Sequence, residues 1–431
     1  MLATKEVVDM SNGIRKRSAA QSRGAITLIL TLAMLVAACG TPGESSGSVP
    51  GADAPGGGEG EVVGGGSDDA LRIGLLQPLT GPVSAAGIAV RDGATIAVEE
   101  INADGGINGR PLELVVEDDE NDPAVCTSAA NKVITRDNVL GIIGGWGSSC
   151  TLAIAPVTAR EQVPLVVETS SSFKVTDPAE AGSDWTFRLN PPTRMEVEAV
   201  QDALVDELGF KQVFFMGVNN DWGRGSVSDF TPAVERNGGQ VVGAEFFEQA
   251  EENFSPILTS IQSSDSDSVI VTTDAAQIAL ILQQMEALGI DKKVLTTGGS
   301  NFPGKVKELA GESAAEGVYF TVFFPAAYDP SMSAAPDRAA SFVEKWNANH
   351  DPNEIGESAR GYDAVYTIAE ALRSIDGEIT RESLRDALDT VSLEGIMFGD
   401  IEFEDWNGLI NQNVSDVYIG QMAEEFKFVG I

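Results

Sequence analysis

Histidine is all but missing from this chain: His350 is the sole imidazole in 431 residues. Ser/His/Asp and Cys/His nucleophilic machinery would both depend on it. It sits in WNANHDP, which reads as a solvated helix end. Cysteine is nearly as scarce, with three residues, and the clusters of histidine or cysteine that hold metals do not occur. The acidic run DDENDP, Asp118 to Pro123, lacks the spacing of an EF-hand loop and reads as a helix cap after a solvated strand end. No Walker A motif is present, and Gly223-Arg224-Gly225 lacks the third glycine of a dinucleotide fingerprint. Positive charge is short as well: 28 basic residues face 65 acidic ones, for a net charge of -37. Such a surface repels phosphate backbones and excludes nucleic acid as a partner. These shortages together predict no enzyme, no cofactor and no metal.

Long hydrophobic runs are lacking too. Ala25 to Leu35, AITLILTLAML, is too short for a comfortable membrane span, and it follows the basic residues Arg15, Lys16, Arg17 and Arg23. It ends in Val36-Ala37-Ala38-Cys39-Gly40, which resembles the bacterial lipobox. That resemblance implies removal of residues 1–38, lipidation of Cys39 and an anchor on the outer face of the bacterial cell membrane. The plainer alternative is an ordinary signal peptide in which Cys39 falls by chance, and Met10 offers a second start. Residues 39–69 are rich in Gly, Ser and Pro and predict a flexible tether. With Cys39 given to lipid, Cys126 and Cys150 remain as an even pair in an oxidising compartment, and a disulfide between them is expected.

What is abundant is alternation. RIGLLQ, LELVVE, VLGIIGG and PLVVE read as buried strands, followed later by QVFFMGV, SVIVTT, KVLTTGG and GVYFTVF. Between them lie helical patterns such as Gly87 to Ala103, with apolar residues at 88, 90, 94, 97, 98 and 101. Asp122-Pro123 is an N-cap followed by proline at the first helical position. Continuous apolar strands alternating with amphipathic helices predict α/β architecture with doubly wound parallel sheets. There are too many units for one sheet, so two lobes are expected. In such sheets ligands bind beyond the strand C-termini. GGWGSSCT, Gly144 to Thr151, falls there, and so does TSSSF, Thr169 to Phe173. Small residues admit a ligand to the backbone, free amides at a helix start favour an anion, and the serines add hydroxyls. Ser148, Ser149, Thr169, Ser170 and Ser171 are the candidate half-site.

RIGLLQPLTGPVSAAG, followed by GATIAVEEINADGGINGRPLELVVEDDENDP, resembles the opening of type I solute-binding proteins of the leucine/isoleucine/valine-binding class. These are capture subunits of ABC importers. VPLVVETSSSF, FRLNPP and FKQVFFMGVNNDWGRG fit in order after it. The resemblance implies two lobes joined by three crossovers and closing by hinge motion over a small ligand, an amino acid or a related molecule. It places crossovers near Asn190 to Pro192, Gly317 to Phe324 and Val391 to Ile396. Lobe one is then residues 70–191 and 319–392, and lobe two is 192–318 and 393–431. Ser148 corresponds to the serine that holds the ligand carboxylate, and Thr169 and Ser171 to positions gripping the same end. Trp222 and Asp274 correspond to cleft residues of lobe two. The carboxylate expected for a ligand ammonium is absent at Gly298 and Gly299, with Ser300 and Asn301 following, and Asp274 is the candidate replacement. The aromatic expected after GPV is Ala86, which implies a roomier pocket. The implied partners are a small-molecule ligand, ABC permease subunits and, through Cys39, the membrane. A monomer is expected.

Overall fold

The computed structural model describes residues 61–64, 67, 69–298 and 302–429. The expected leader, Cys39 with its expected lipidation, the expected tether up to residue 60, and Gly299, Ser300 and Asn301 lie outside the described residues. Among the described residues no helix is long and apolar enough to cross a membrane.

The strands in chain order are Glu61–Val63 (β1), Leu71–Gln77 (β2), Leu112–Asp118 (β3), Gly141–Gly144 (β4), Leu165–Val167 (β5) and Thr186–Arg188 (β6). Gln212–Val218 (β7), Gln240–Phe247 (β8), Ser268–Thr272 (β9), Lys293–Thr297 (β10) and Tyr319–Val322 (β11) follow. The chain then adds Leu393–Glu394 (β12), Asp400–Ile401 (β13), Phe403–Trp406 (β14), Leu409–Asn413 (β15), Tyr418–Met422 (β16) and Phe426–Phe428 (β17). One sheet has the order β1-β3-β2-β4-β5-β6-β15-β14 and the other β17-β16-β11-β10-β9-β7-β8. The central pairings are parallel in both; antiparallel strands close both edges of the first sheet and one edge of the second, whose other edge, β8, is parallel to β7. β2 and β9 are buried along nearly their whole length, as strands covered by helices on both faces must be.

Each of the two large sheets carries a hydrophobic core on both of its faces. In the first lobe the helix Ser84–Ala103 lies against the helix Ile355–Ser374. Their closest approach is at Gly93, where a Cβ would fall 1.9 Å from the Ser358 carbonyl oxygen, so only glycine fits. In the second lobe Phe214, Met216, Val269 and Val271 pack against Ile278 and Leu282 of the helix Ala275–Leu288. Asp122 caps the helix Pro123–Thr135, accepting from the amides of Ala124 and Val125 at 2.8 and 3.2 Å. Cys126 of that helix and Cys150 of the helix Ser148–Arg160 form a disulfide with Cα atoms 5.7 Å apart.

The chain passes between lobes three times: after β6, after β11 and between β15 and β16. Two expected boundaries are corrected by this order. Tyr319–Val322 belongs to the second sheet, parallel to β10, rather than opening the return to the first lobe. Phe403–Asn413 belongs to the first sheet, so the third passage lies near residue 414 and not near Val391 to Ile396. The cause is the bond between β15 and β6: Gln412 stands opposite Arg188, whose Nε donates to Gln412 Oε1 at 2.6 Å in a fully buried position. DDENDP is also corrected in part. Asp118 and Asp122 cap the neighbouring backbone, but Asp119 is wholly buried, not solvated.

Candidate ligand site between the lobes

β4 ends in Gly144, and the turn Gly145-Trp146-Gly147 leads into the helix that begins at Ser148. β5 ends in Val167, and Thr169 to Ser172 follow. The two turns are knotted together behind the site. Ser170 Oγ donates to the Gly145 carbonyl at 2.6 Å and lies 2.5 Å from Thr151 Oγ1. Ser148 Oγ accepts from the Ser172 amide at 3.2 Å. Ser171 Oγ accepts from Asn190 Nδ2 at 2.8 Å, and Thr169 Oγ1 donates to Glu168 Oε1 at 3.3 Å. The result is a polar cradle at the C-terminal ends of adjacent parallel strands, where α/β folds bind ligands.

A small cavity of about 20 Å³ is lined by Trp146 to Ser148 and Thr169 to Ser171 from the first lobe and by Asn220 and Trp222 from the second. Ser148, Thr169 and Ser171 are all buried. Trp222 Nε1 is buried in this region with no hydrogen-bond partner among the described residues. An indole N–H left so is a donor waiting for an acceptor, because a buried unmade hydrogen bond costs ~1–3 kcal/mol.

The other expected residues are placed differently. Ser149 does not share the cavity with Ser148. Its hydroxyl donates across the cleft to Asp221 Oδ2 at 2.9 Å, and Lys174 Nζ donates to Asp221 Oδ1 at 2.9 Å. Burial pushes the Asp221 carboxyl up, but the hydrogen bonds from Lys174 and Ser149 outweigh it and hold the group below the usual carboxylate range. Asp221 thus fastens the second lobe to the first. Ser170 also lines the cavity, with its hydroxyl bonded to the Gly145 carbonyl and beside Thr151 Oγ1. Asp274 reaches the cleft but caps the helix Ala275–Leu288. One oxygen accepts from the amides of Ala276 and Gln277 at 3.0 and 3.2 Å, and the other accepts from Gln249 Nε2 at 2.6 Å. Both oxygens of the expected ammonium partner are therefore already engaged. Gly298 has φ +84°, and the Trp222 ring occupies the space beside its α-carbon.

Six residues around this site carried no assignment in the sequence. Trp146 Nε1 donates to Glu357 Oε2 at 3.3 Å, and Glu357 stands 3.4 Å from Arg360 Nε. Arg360 Nη1 donates to the Glu168 carbonyl at 3.1 Å and to Asn190 Oδ1. Glu196 Oε2 accepts from the Gly298 amide and the Thr321 hydroxyl, both at 2.6 Å. Burial pushes Glu168 and Glu196 up to about 7, against the hydrogen bonds that oppose it. Of these residues Trp146 lines the cavity, as does Asn220 from the second lobe. Only Trp146 was visible locally, as a large aromatic inside a small-residue turn.

His350 is remote from the serine turns. It stacks on Trp346 with ring centroids 4.1 Å apart and faces Asp92. Among the described residues Asp119, Cys126 and Cys150 come close enough to share a metal, but the disulfide consumes both sulfurs, leaving one carboxylate. Hydrogen-bonding groups from both lobes converge on the cradle.

Two α/β lobes, three passages between them and a hydroxyl-lined cradle at the strand ends define a solute-binding protein that holds its ligand between lobes. A sequence profile of the periplasmic binding protein family matches residues 70–426. The chain belongs to that family, in its type I, leucine/isoleucine/valine-binding-like branch. It is 26% identical over 343 residues to the leucine-, isoleucine-, valine-, threonine- and alanine-binding protein of Pseudomonas aeruginosa, covering 80% of this chain and 88% of that one. Its fold matches the crystal structure of a leucine-binding protein from Thermotoga maritima with a TM-score of 0.73 and 28% identity, covering 84% of this chain and 98% of the other. A solute-binding protein from R. palustris in complex with benzoate has the same fold, with a TM-score of 0.73, 21% identity, and coverage of 84% and 96%. Proteins of this family bind small molecules outside the cytoplasm and work with ABC permeases.

Proposed function

We propose that this chain is the lipid-anchored capture subunit of an ABC importer, tethered through Cys39 and residues 39–69, monomeric, and specific for a small ligand with an anionic or polar end. A branched-chain or other amino acid is the first candidate, since the Pseudomonas relative is named for five of them and the Thermotoga structure for leucine. The observation that carries the reading is the pairing of the cradle with Trp222 across the cleft. In the mechanism, the open form presents Ser148, Thr169 and Ser171, and the ligand's polar end binds there. The second lobe then brings Trp222 over it, and Asp221 fastens to Ser149 and Lys174. Exclusion of water strengthens each hydrogen bond.

A second reading, a ligand without an ammonium captured for transport or for a membrane receptor, is favoured by two contacts. Trp222 fills the side-chain space at Gly298, and Asp274 is engaged as a cap. A thermal-shift screen of amino acids, short amides and small carboxylates tests both. A ligand at a hundred times its Kd adds ~2.7 kcal/mol of stability. A hit among amino acids supports the first reading, a hit confined to carboxylates or amides supports the second, and silence throughout contradicts capture of this class of ligand.

A further inference from the structure

Residues 39–69 read as a tether, yet the end of that stretch is fastened to the first lobe. Glu61–Val63 (β1) pairs antiparallel with β3, Glu61 opposite Val116 and Val63 opposite Leu114. Val63 packs on the core of the first lobe, and Arg91 Nη1 stands 3.9 Å from Glu61 Oε2. Gly64 follows at φ +119°, where a Cβ would fall 2.4 Å from the Leu112 carbonyl oxygen. The Ser67 amide then donates to Glu113 Oε1 at 2.6 Å, while Arg72 Nε donates to Glu113 Oε2 at 3.3 Å. Glu113 is wholly buried, and a buried carboxylate is costly unless its oxygens are filled, so this strap completes its hydrogen bonding. Arg110 Nε donates to the Asp69 carbonyl at 3.0 Å. All these partners belong to the first lobe, so opening of the hinge leaves them undisturbed.

The direction of β1 has a consequence for attachment. β2, β3, β4 and β5 run parallel, so their C-terminal ends all lie at the cradle end of the lobe. β1 runs the other way. Its first residue pairs close to the C-terminal end of β3, and the chain then proceeds to Leu71, which opens β2 at the far end of the lobe. Chain arriving from Cys39 therefore joins the lobe at the cradle end, whereas without the strap its first fixed residue would be Leu71. Resting on the anchor at Cys39 proposed above, we infer that residues 61–69 are an orienting strap that holds the cleft toward the lipid bilayer. Cys39 and Glu61 are 22 positions apart. A Gly/Ser-rich tether of that length has a root-mean-square reach of about 25 Å. A seven-residue strand such as β2 spans about 23 Å, so the end at which the tether joins decides which end of the lobe lies nearer the membrane.

The test compares the exported protein with its Gly64→Val variant, whose side chain meets both the positive φ and the Leu112 carbonyl. By hydrogen exchange the Ser67 amide should exchange at least tenfold faster in G64V than in the wild type. A wild-type Ser67 amide that exchanges as fast as an unfolded peptide overturns the strap, independently of the anchor. For orientation, protein recovered from bacterial membranes is placed in phosphatidylcholine vesicles that carry an acceptor-labelled lipid. A donor dye is attached at Glu120→Cys, beyond β3 at the cradle end, or at Asp104→Cys, at the far end where Asn102 bonds the Leu112 carbonyl; both positions are exposed. Energy transfer should be at least twofold stronger from position 120 than from 104, and G64V should abolish or reverse the difference. Equal transfer from the two positions, or a difference unchanged by G64V, overturns the orientation. Protein absent from membranes overturns the anchor and the orientation with it, while the exchange result still decides the strap. Should G64V fail to fold, the triple variant E61G/V62S/V63G loosens the ladder at unchanged tether length and is read in the same two ways.

Discussion

Trp222 and Gly298 share one volume: a Cβ on Gly298 would lie 2.1 Å from Cζ2 of the Trp222 ring. Position 298 is therefore glycine for two reasons, its left-handed φ of +84° and the indole against it. A carboxylate cannot stand there while Trp222 forms the second-lobe wall of the cradle.

Gly298→Ala should then destabilise the protein by ~1–3 kcal/mol, from backbone strain and displacement of the ring. Denaturant unfolding measures it. Gly298→Ala combined with Trp222→Ala should recover the steric part, and a double variant no more stable than the two separate losses predict would contradict the shared-volume account.

Asp221 joins the lobes through Ser149 and Lys174 at the cleft edge. Asp221→Asn keeps a hydrogen-bonding group but removes the charge. Because both charged partners are partly exposed, ~1 kcal/mol is the ceiling, so ligand affinity should fall by up to about fivefold. The effect should shrink in high salt, since screening already weakens the wild-type pair. Calorimetry at two salt concentrations checks it.

The Cys126–Cys150 bridge spans 24 residues and fixes the start of the Ser148 helix to the preceding helix. Replacing both cysteines by alanine should cost ~2–4 kcal/mol of stability. Two free thiols in the natively exported protein would contradict the bridge.

Asp119, Glu168 and Glu196 are pushed up to about 7, chiefly by burial. Unfolded carboxyls titrate near ~4. A carboxyl with a raised folded pKa contributes stability that is complete below the unfolded value and is lost as pH climbs through the folded one. The melting temperature should therefore fall between about pH 4 and pH 7. Glu196→Gln, which cannot ionise, should flatten that slope, and an unchanged slope would show that Glu196 does not carry it.

The first lobe was largely legible because its strands are continuous apolar runs and its helix caps are local, as at Asp122-Pro123. The third passage was misplaced because Leu409–Asn413 is held by the long-range Gln412–Arg188 bond, and its mixed polarity gives no buried-strand pattern. A local signal was available in Asn407-Gly408, both at positive φ between β14 and β15, which marks a hairpin. The serine turns were read from composition, but not which serines line the cavity. Ser149 reads like Ser148 in sequence, and only its bond to Asp221 separates them. Glu357 meets Trp146 across 211 positions, and Glu196 reaches Gly298 across 102, so neither contact has a local signature.

The central claim, capture at the serine turns between the lobes, rests most directly on Ser148. The decisive measurement is the Kd of the best stabilising ligand for the wild type and for Ser148→Ala by titration calorimetry. The cradle predicts a loss of ~1–3 kcal/mol, roughly five- to 150-fold, beside a lowered unliganded melting temperature because the Ser172 amide loses its acceptor. An unchanged Kd would contradict it.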